Sequence, residues 1–299
     1  MTLLVHLGAG VGDIVLATPL LIALRAQGHT IDLALDADYP ETATLFEGWS
    51  VVRAIAPFDP RRYDAVLPAI PPFYEQRFSR AYSRLRRKVP RPRASLFYEN
   101  EQGWYLEFAR ALGCECHPSL PPYLPIAPDE SYGVTARTVV LAPGCKTGEM
   151  ALKRWPHFPA LAGQFDDVAI VGTADDLHES DGTRMKFPPH ARNLAGRLTL
   201  RETASVLASA GVVVANDSGL GHLSAAAGAP TILLFGPTPH LNLRPFPPWV
   251  QVLRAGLPCE PCWFNRRFEA CARRVDCLRE VPLQAVAEAV NRAVTQPAA

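Results

Sequence analysis

The run Asn216-Asp217-Ser218-Gly219-Leu220-Gly221-His222 places a carboxylate, a hydroxyl, two glycines and an imidazole close together in the chain. Val212-Val213-Val214-Ala215 precedes it and reads as a buried parallel strand, while the small-residue stretch from Leu223 to Gly228 reads as a helix. A helix starting at such a junction leaves backbone N–H groups without partners and carries the positive end of its dipole, which stabilises a diphosphate. Asp217 or Ser218 can cap that helix, and the glycines let a ligand approach the backbone. A carboxylate beside a phosphate site suits sugar hydroxyls, since it would repel the phosphate itself. The run fits half of a nucleotide-sugar site, and equally a capped helix in any α/β protein.

A second loop, Gly8-Ala9-Gly10-Val11-Gly12-Asp13, follows the apolar strand Leu3 to Leu7 and leads into Ile14 to Arg25, a predicted helix. A dinucleotide fingerprint would use Gly8 to Gly12 with Asp36, which closes the next predicted strand, Ile31 to Leu35. That fingerprint needs a third glycine where Asp13 stands, and a carboxylate there would crowd the helix and repel a pyrophosphate. Asp13 is instead suited to accept the proton of an attacking hydroxyl, as glycosyl transfer requires. A first-turn acid of purely structural use is the other reading.

In the second half, Thr138 to Ala142 runs into Pro143-Gly144-Cys145-Lys146-Thr147-Gly148, and Lys153-Arg154-Trp155-Pro156 follows. Two cations and an indole after a strand can hold phosphate oxygens and a flat ring. The strand Thr231 to Phe235 ends in Gly236-Pro237-Thr238-Pro239-His240, which should lie beside the Asp217 turn. Gly172-Thr173-Ala174-Asp175-Asp176, after the strand Val168 to Gly172, suits the nucleoside side. Cys259, Cys262, Cys271 and Cys277 are close enough in sequence to complete a tetrahedral zinc or iron site, or to pack as reduced, small apolar side chains. Between Arg77 and Arg93 the chain carries Arg77, Arg80, Arg84, Arg86, Arg87, Lys88, Arg91 and Arg93 with no acid, either an attraction for anions or a solvated helix face.

These residues need positioning by strands and helices that alternate along the chain, the pattern of an α/β fold. Val51 to Ala56 and Ala65 to Pro68 read as further strands, Glu101 to Leu112 and Leu200 to Ala210 as helices, the latter introduced by Thr199 with Glu202 in its first turn. A proline-rich stretch, Pro118 to Pro128, reads as a linker between residues 1–128 and 129–299, the second part holding the cysteine segment 259–277 and a closing helix, 281–294. A length of 299 residues allows two such domains, and a net charge of +1 with no recurring basic stripe argues against nucleic acid. Met1 to Val5 lacks a secretion leader's basic start and no apolar run is long enough to span a bilayer, so a cytoplasmic protein with at most peripheral membrane contact is expected.

Taken in order, Gly8 to Pro19 (G-A-G-V-G-D-I-V-L-A-T-P), Lys153-Arg154-Trp155-Pro156, Asn216 to His222 with Leu223-Ser224-Ala225-Ala226, and Phe235-Gly236-Pro237-Thr238 resemble glycosyltransferase family 9, the ADP-heptose transferases. The resemblance implies a GT-B fold, two Rossmann-like domains with parallel sheets facing across a cleft. It implies inverting transfer with no catalytic metal, from an ADP-sugar to a glycan or protein hydroxyl. Residue by residue, Asp13 matches the base, Lys153 the cation near the donor phosphates, and Asp217 the acid holding donor sugar hydroxyls. Ser218, Gly219, Gly221 and His222 match the turn and helix start under the diphosphate, and Thr238 the adjoining loop. The acceptor, on the N-terminal domain, would meet Gly10 and Gly12, with Arg77, Arg80 and Arg84 drawing it if anionic. The sequence departs from the family at Cys145, where serine or threonine is usual, and at Gly221, where many members carry serine. The four cysteines resemble the iron-binding finger of autotransporter-modifying heptosyltransferases, which form large homo-oligomers. Two other classes compete: a nicotinamide oxidoreductase using residues 8–12 and Asp36, and a catalytically silent GT-B scaffold.

Overall fold

The computed structural model describes residues 1–78, 82, 89, 91–117, 119–145, 153–179, 181–263, 271 and 276–295. The chain divides into two compact units, Met1–Pro125 with Leu241–Phe246, and Ile126–His240 with Pro247–Ala299. Segment 241–246 belongs to the first unit despite its late place in the sequence: Gln102 Nε2 donates to the carbonyls of Leu243 at 2.6 Å and Pro245 at 3.0 Å.

The first unit contains β1 (Thr2–Leu7), α1 (Val11–Leu16), α2 (Thr18–Ala26), β2 (Thr30–Leu35), β3 (Ala54–Ile55), β4 (Ala65–Pro68), α3 (Ala94–Glu99) and α4 (Glu101–Arg110). Its described strands form a parallel sheet in the order β3-β2-β1-β4. The helix predicted over Ile14 to Arg25 is two helices. Pro19 has no N–H to carry the ladder onward, so it sits in the first turn of a new helix. The strand predicted over Val51 to Ala56 shrinks to Ala54–Ile55, both exposed, leaving only backbone pairing to β2 to hold it at the sheet edge. Asn100 caps α4 by accepting from Gly103 N at 2.8 Å, and the helix buries Trp104, Tyr105 and Phe108.

His6 in β1 is a structural residue, as its place in the strand suggests. Its Nδ1 pairs with Tyr82 Oη at 2.7 Å, and Phe58 and Phe78 lie 4.8 and 4.7 Å from its ring. Burial drives its pKa down to about 4, against the pull of Asp36. The unfolded chain therefore binds a proton at His6 that the folded chain refuses, and stability should fall as pH drops from about 6.5 towards 4. Chemical denaturation across this range should show that loss, and a His6→Phe variant should show less of it.

The second unit contains β5 (Val139–Ala142), α5 (Phe158–Ala162), β6 (Val168–Ile170), β7 (Arg192–Asn193), α6 (Leu200–Ser209), β8 (Val212–Asn216), α7 (Gly219–Ala226), β9 (Thr231–Leu234), β10 (Val250–Leu253), α8 (Asp276–Arg279) and α9 (Leu283–Thr295). The described strands are again parallel, in the order β10-β9-β8-β5-β6-β7. Thr199 and Glu202 form the predicted capping box at the start of α6. Every side chain of β8 is buried, which suits a central parallel strand with both faces covered. Trp155, Phe158, Val212, Val214, Leu234, Val286 and Val290 belong to one core cluster, each aliphatic contributing about 1.5–3 kcal/mol through burial.

Each sheet changes direction once. In the first, the chain moves from β1 outward through β2 to β3 and then crosses to β4 on the other side of β1. In the second it moves from β5 through β6 to β7, then crosses to β8. Ligands of open α/β sheets bind beyond the carboxyl ends of the strands at such a switch point. The residues found there are the loop from Gly8 to Asp13 in one unit, and the turns after β5 and β8 in the other.

Candidate active site

In the second unit, strand register fixes the site. Ala142 of β5 lies opposite Ala215 of β8, and Asn216 opposite Leu234 of β9, so three turns leave adjacent strand ends together. Asn216 ties them: its Nδ2 donates to Pro143 O at 2.7 Å, and its Oδ1 accepts from Trp155 N at 3.0 Å. The chain that carries Lys153 is thereby anchored beside Asp217.

Lys153 Nζ donates to Asp217 Oδ2 at 2.7 Å and to Asp217 O at 3.0 Å. Thr238 Oγ1 donates to the same Oδ2 at 2.6 Å, and His222 Nε2 lies 3.1 Å from Oδ1. All four side chains are buried. Burial alone would push the Asp217 carboxyl up, but the Lys153 ammonium and His222 outweigh it and hold the group well below the usual carboxylate range. Lys153, Asp217, His222 and Thr238, separate in sequence, thus form one charge-assisted network.

The helix cap differs from expectation. Ser218 is the N-cap residue of α7, yet its side chain makes no capping bond, and the Asp217 carboxylate is held instead by Lys153 and Thr238. Among the described residues, Ser218 Oγ is buried with no hydrogen-bond partner. Gly219 opens α7, and Gly221 lies against the sheet, where an added Cβ would sit 2.6 Å from Leu233 Cδ2 and 3.0 Å from Asn216 O. Leu233 thus occupies the room that a serine would need at position 221. Gly221→Ser should destabilise the fold by about 1–3 kcal/mol, as overpacking does, with the loss measured by denaturant titration.

Other expectations are corrected. The Trp155 indole is fully buried and donates to Val281 O at 3.0 Å, so it belongs to the core and holds no ligand ring. Arg154 Nη1 donates to the carbonyls of Asp175 at 3.1 Å and His178 at 2.6 Å, fastening the loop after β6. Burial pushes the Cys145 thiol up against the pull of Arg154, so this turn offers a protonated thiol where a hydroxyl is usual.

In the first unit, Asp13 lies in the first turn of α1, Gly10 is its N-cap, and Gly12 is within the helix. A Cβ on Gly10 would stand 3.2 Å from Asp13 Oδ2, so the carboxylate reaches back over the loop. Tyr105 is raised well above its ordinary pKa by burial and then by the charges of Glu101 and Asp13. Asp36 is buried and packs against Gly8, so it is not displayed as a ribose-binding acid. Arg77 pairs with Asp38 and with the Tyr74 hydroxyl, and is not held open for an anion. Arg91 likewise pairs with Glu75 and donates to Ile70 O at 2.7 Å. Arg80 and Arg84 lie outside the described residues.

The cysteines are not joined by disulfides. Among the described residues, no group of three or more His, Cys, Asp or Glu side chains is gathered as a metal site. Cys259 is exposed, Cys271 half-buried, and Cys262 and Cys277 buried.

Two α/β units, each with a parallel sheet and its functional turns at the switch point, are the components of the GT-B class, and solved structures agree. The E. coli ADP-heptose LPS heptosyltransferase II superposes with a TM-score of 0.73 at 22% identity, covering 99% of both chains. The iron-containing dodecameric glycosyltransferase TibC of enterotoxigenic E. coli gives 0.66 at 16% identity, covering 99% of this chain and 77% of that one. Residues 117–272 match the family profile described as glycosyltransferase family 9 (heptosyltransferase), and the chain belongs to that family. It is 34% identical to lipooligosaccharide heptosyltransferase 2 of Haemophilus influenzae over 143 residues, which is 40% of this chain and 41% of that protein. The matched segment thus spans about two fifths of that relative's length.

Proposed function

We propose that the chain transfers heptose from ADP-heptose to a hydroxyl of a glycan or protein acceptor, with inversion and without a catalytic metal. The observation that carries this reading is Ser218 Oγ, a buried hydroxyl that has no partner among the described residues, at the start of α7 beside the Asp217 network. A donor diphosphate supplies the missing acceptor. Lys153 has three N–H donors, of which two go to Asp217; among the described contacts the third is unused and would serve a diphosphate oxygen. Asp217 Oδ1 receives only His222 among the described contacts, which leaves it lone-pair capacity for a sugar hydroxyl.

In the transfer, the acceptor oxygen attacks the anomeric carbon as the bond from that carbon to the diphosphate oxygen breaks. The electron pair leaves with ADP, stabilised by Lys153 and the N–H groups at the start of α7. The acceptor proton goes to Asp13. Gly10 and Gly12 are proposed to border the acceptor, and a cytoplasmic setting suits a donor of this type. Among the described residues no helix is long and apolar enough to cross a membrane. The cysteine segment is proposed to hold iron or zinc as a structural ion; TibC, which shares the fold, contains iron.

Calorimetry with ADP-heptose, NAD and UDP-glucose tests the donor assignment. Binding of ADP-heptose that is lost in Ser218→Val supports it, and preferential binding of NAD overturns it. Metal analysis of the purified chain tests the ion.

A further inference from the structure

We infer that the cysteine segment positions the donor site, acting through the Gly236-Pro237 turn on Thr238; this rests on the donor assignment above. The turn leaves the end of β9 and is gripped from behind. The N–H groups of Cys262 and Trp263 both donate to Pro237 O, at 2.9 and 3.0 Å. A Cβ on Gly236 would stand 2.8 Å from Leu278 Cγ and 2.9 Å from Cys277 Sγ, so both side chains press on the backbone of the turn. One residue further on, Thr238 Oγ1 donates to Asp217 Oδ2 at 2.6 Å. The contacts run without a gap from two buried cysteines, through two residues of backbone, to the carboxylate at the centre of the network. A packed core passes on such a displacement because it has no voids to absorb it.

Coupling of this kind is reciprocal: if the segment sets the position of Thr238, a donor that engages Asp217 must in turn hold the turn against Cys277. Cys277 is 7% exposed and becomes reactive only through local opening, so its alkylation reports that grip. The full chain is treated with iodoacetamide, with and without ADP-heptose at a concentration that saturates each variant by calorimetry, and each cysteine is followed by mass spectrometry. Donor should slow alkylation of Cys277 by about fivefold or more, within the usual range of allosteric coupling, while Cys114 in the other unit is unchanged. In Thr238→Ala the protection of Cys277 should disappear. Cys277→Ala should weaken donor binding by a similar factor in the parent chain and by no further factor in the Thr238→Ala background.

A merely structural role for Cys277 lowers Tm and gives additive effects in that cycle, which overturns the inference. Donor binding with unchanged Cys277 reactivity, or protection that survives Thr238→Ala, overturns it as well while leaving the donor assignment intact. Absence of donor binding by the parent chain overturns the assignment and the inference together.

Discussion

Asp13→Asn should lower the rate of sugar transfer by about a hundredfold to ten-thousandfold, the range for loss of a general base, while ADP affinity stays within about twofold. The amide keeps the size and place of the carboxylate over Gly10 but cannot accept the hydroxyl proton. The residues proposed to hold the donor lie in the other unit, so calorimetry with ADP should barely register the change. Steady-state kinetics should show the loss in kcat, with the donor KM little altered. Full activity in Asp13→Asn would remove this residue from the chemistry.

Lys153→Ala should act on stability and binding at once. It strands the Asp217 carboxylate, which remains buried with Thr238 and His222 but without its cation. Breaking one partner out of a buried pair is worth about 3–5 kcal/mol of lost stability, and on the proposed assignment the donor loses a contact to its leaving group. Denaturant titration and calorimetry read the two effects separately. The pH response has a definite sign. The Asp217 carboxyl is held down in the folded state, so its contribution is present above the usual carboxylate range and fades as pH falls below about 4. In Lys153→Ala this acid-side loss should shrink, because the cation that lowered the carboxyl is gone.

Much of the scaffold was legible because its signals are local. The apolar runs at β1, β5 and β8, the capping box at Thr199 and the turn at Asp217 each declare themselves within a few residues. Pairings set by register were not legible. Lys153 and Asp217 are 64 residues apart, and only the alignment of β5 with β8 shows that the two bind each other. The same alignment drew Trp155 inward to Val281, 126 residues away, although its neighbours in sequence suggested a ligand-binding ring. Asp217 is withheld from capping for a related reason, since a distant partner, Lys153, claims its carboxylate. The strand β10 was hidden by the prolines that precede it; the alternating Val250-Gln251-Val252-Leu253 was the available clue. Opposite charges for Arg77 and Arg91 came from Asp38 and Glu75, outside the acid-free run itself.

The enclosure of the Lys153–Asp217 pair also separates two kinds of ionic behaviour in this protein. Its side chains are each 9% exposed, so mobile ions cannot come between them, whereas the Arg62–Asp59 pair, at 82% and 44%, is open to the electrolyte. Raising sodium chloride should dissolve the second interaction and leave the first nearly untouched. The centre from which the chemistry is proposed to proceed is therefore held by an ion pair that the surrounding electrolyte does not screen.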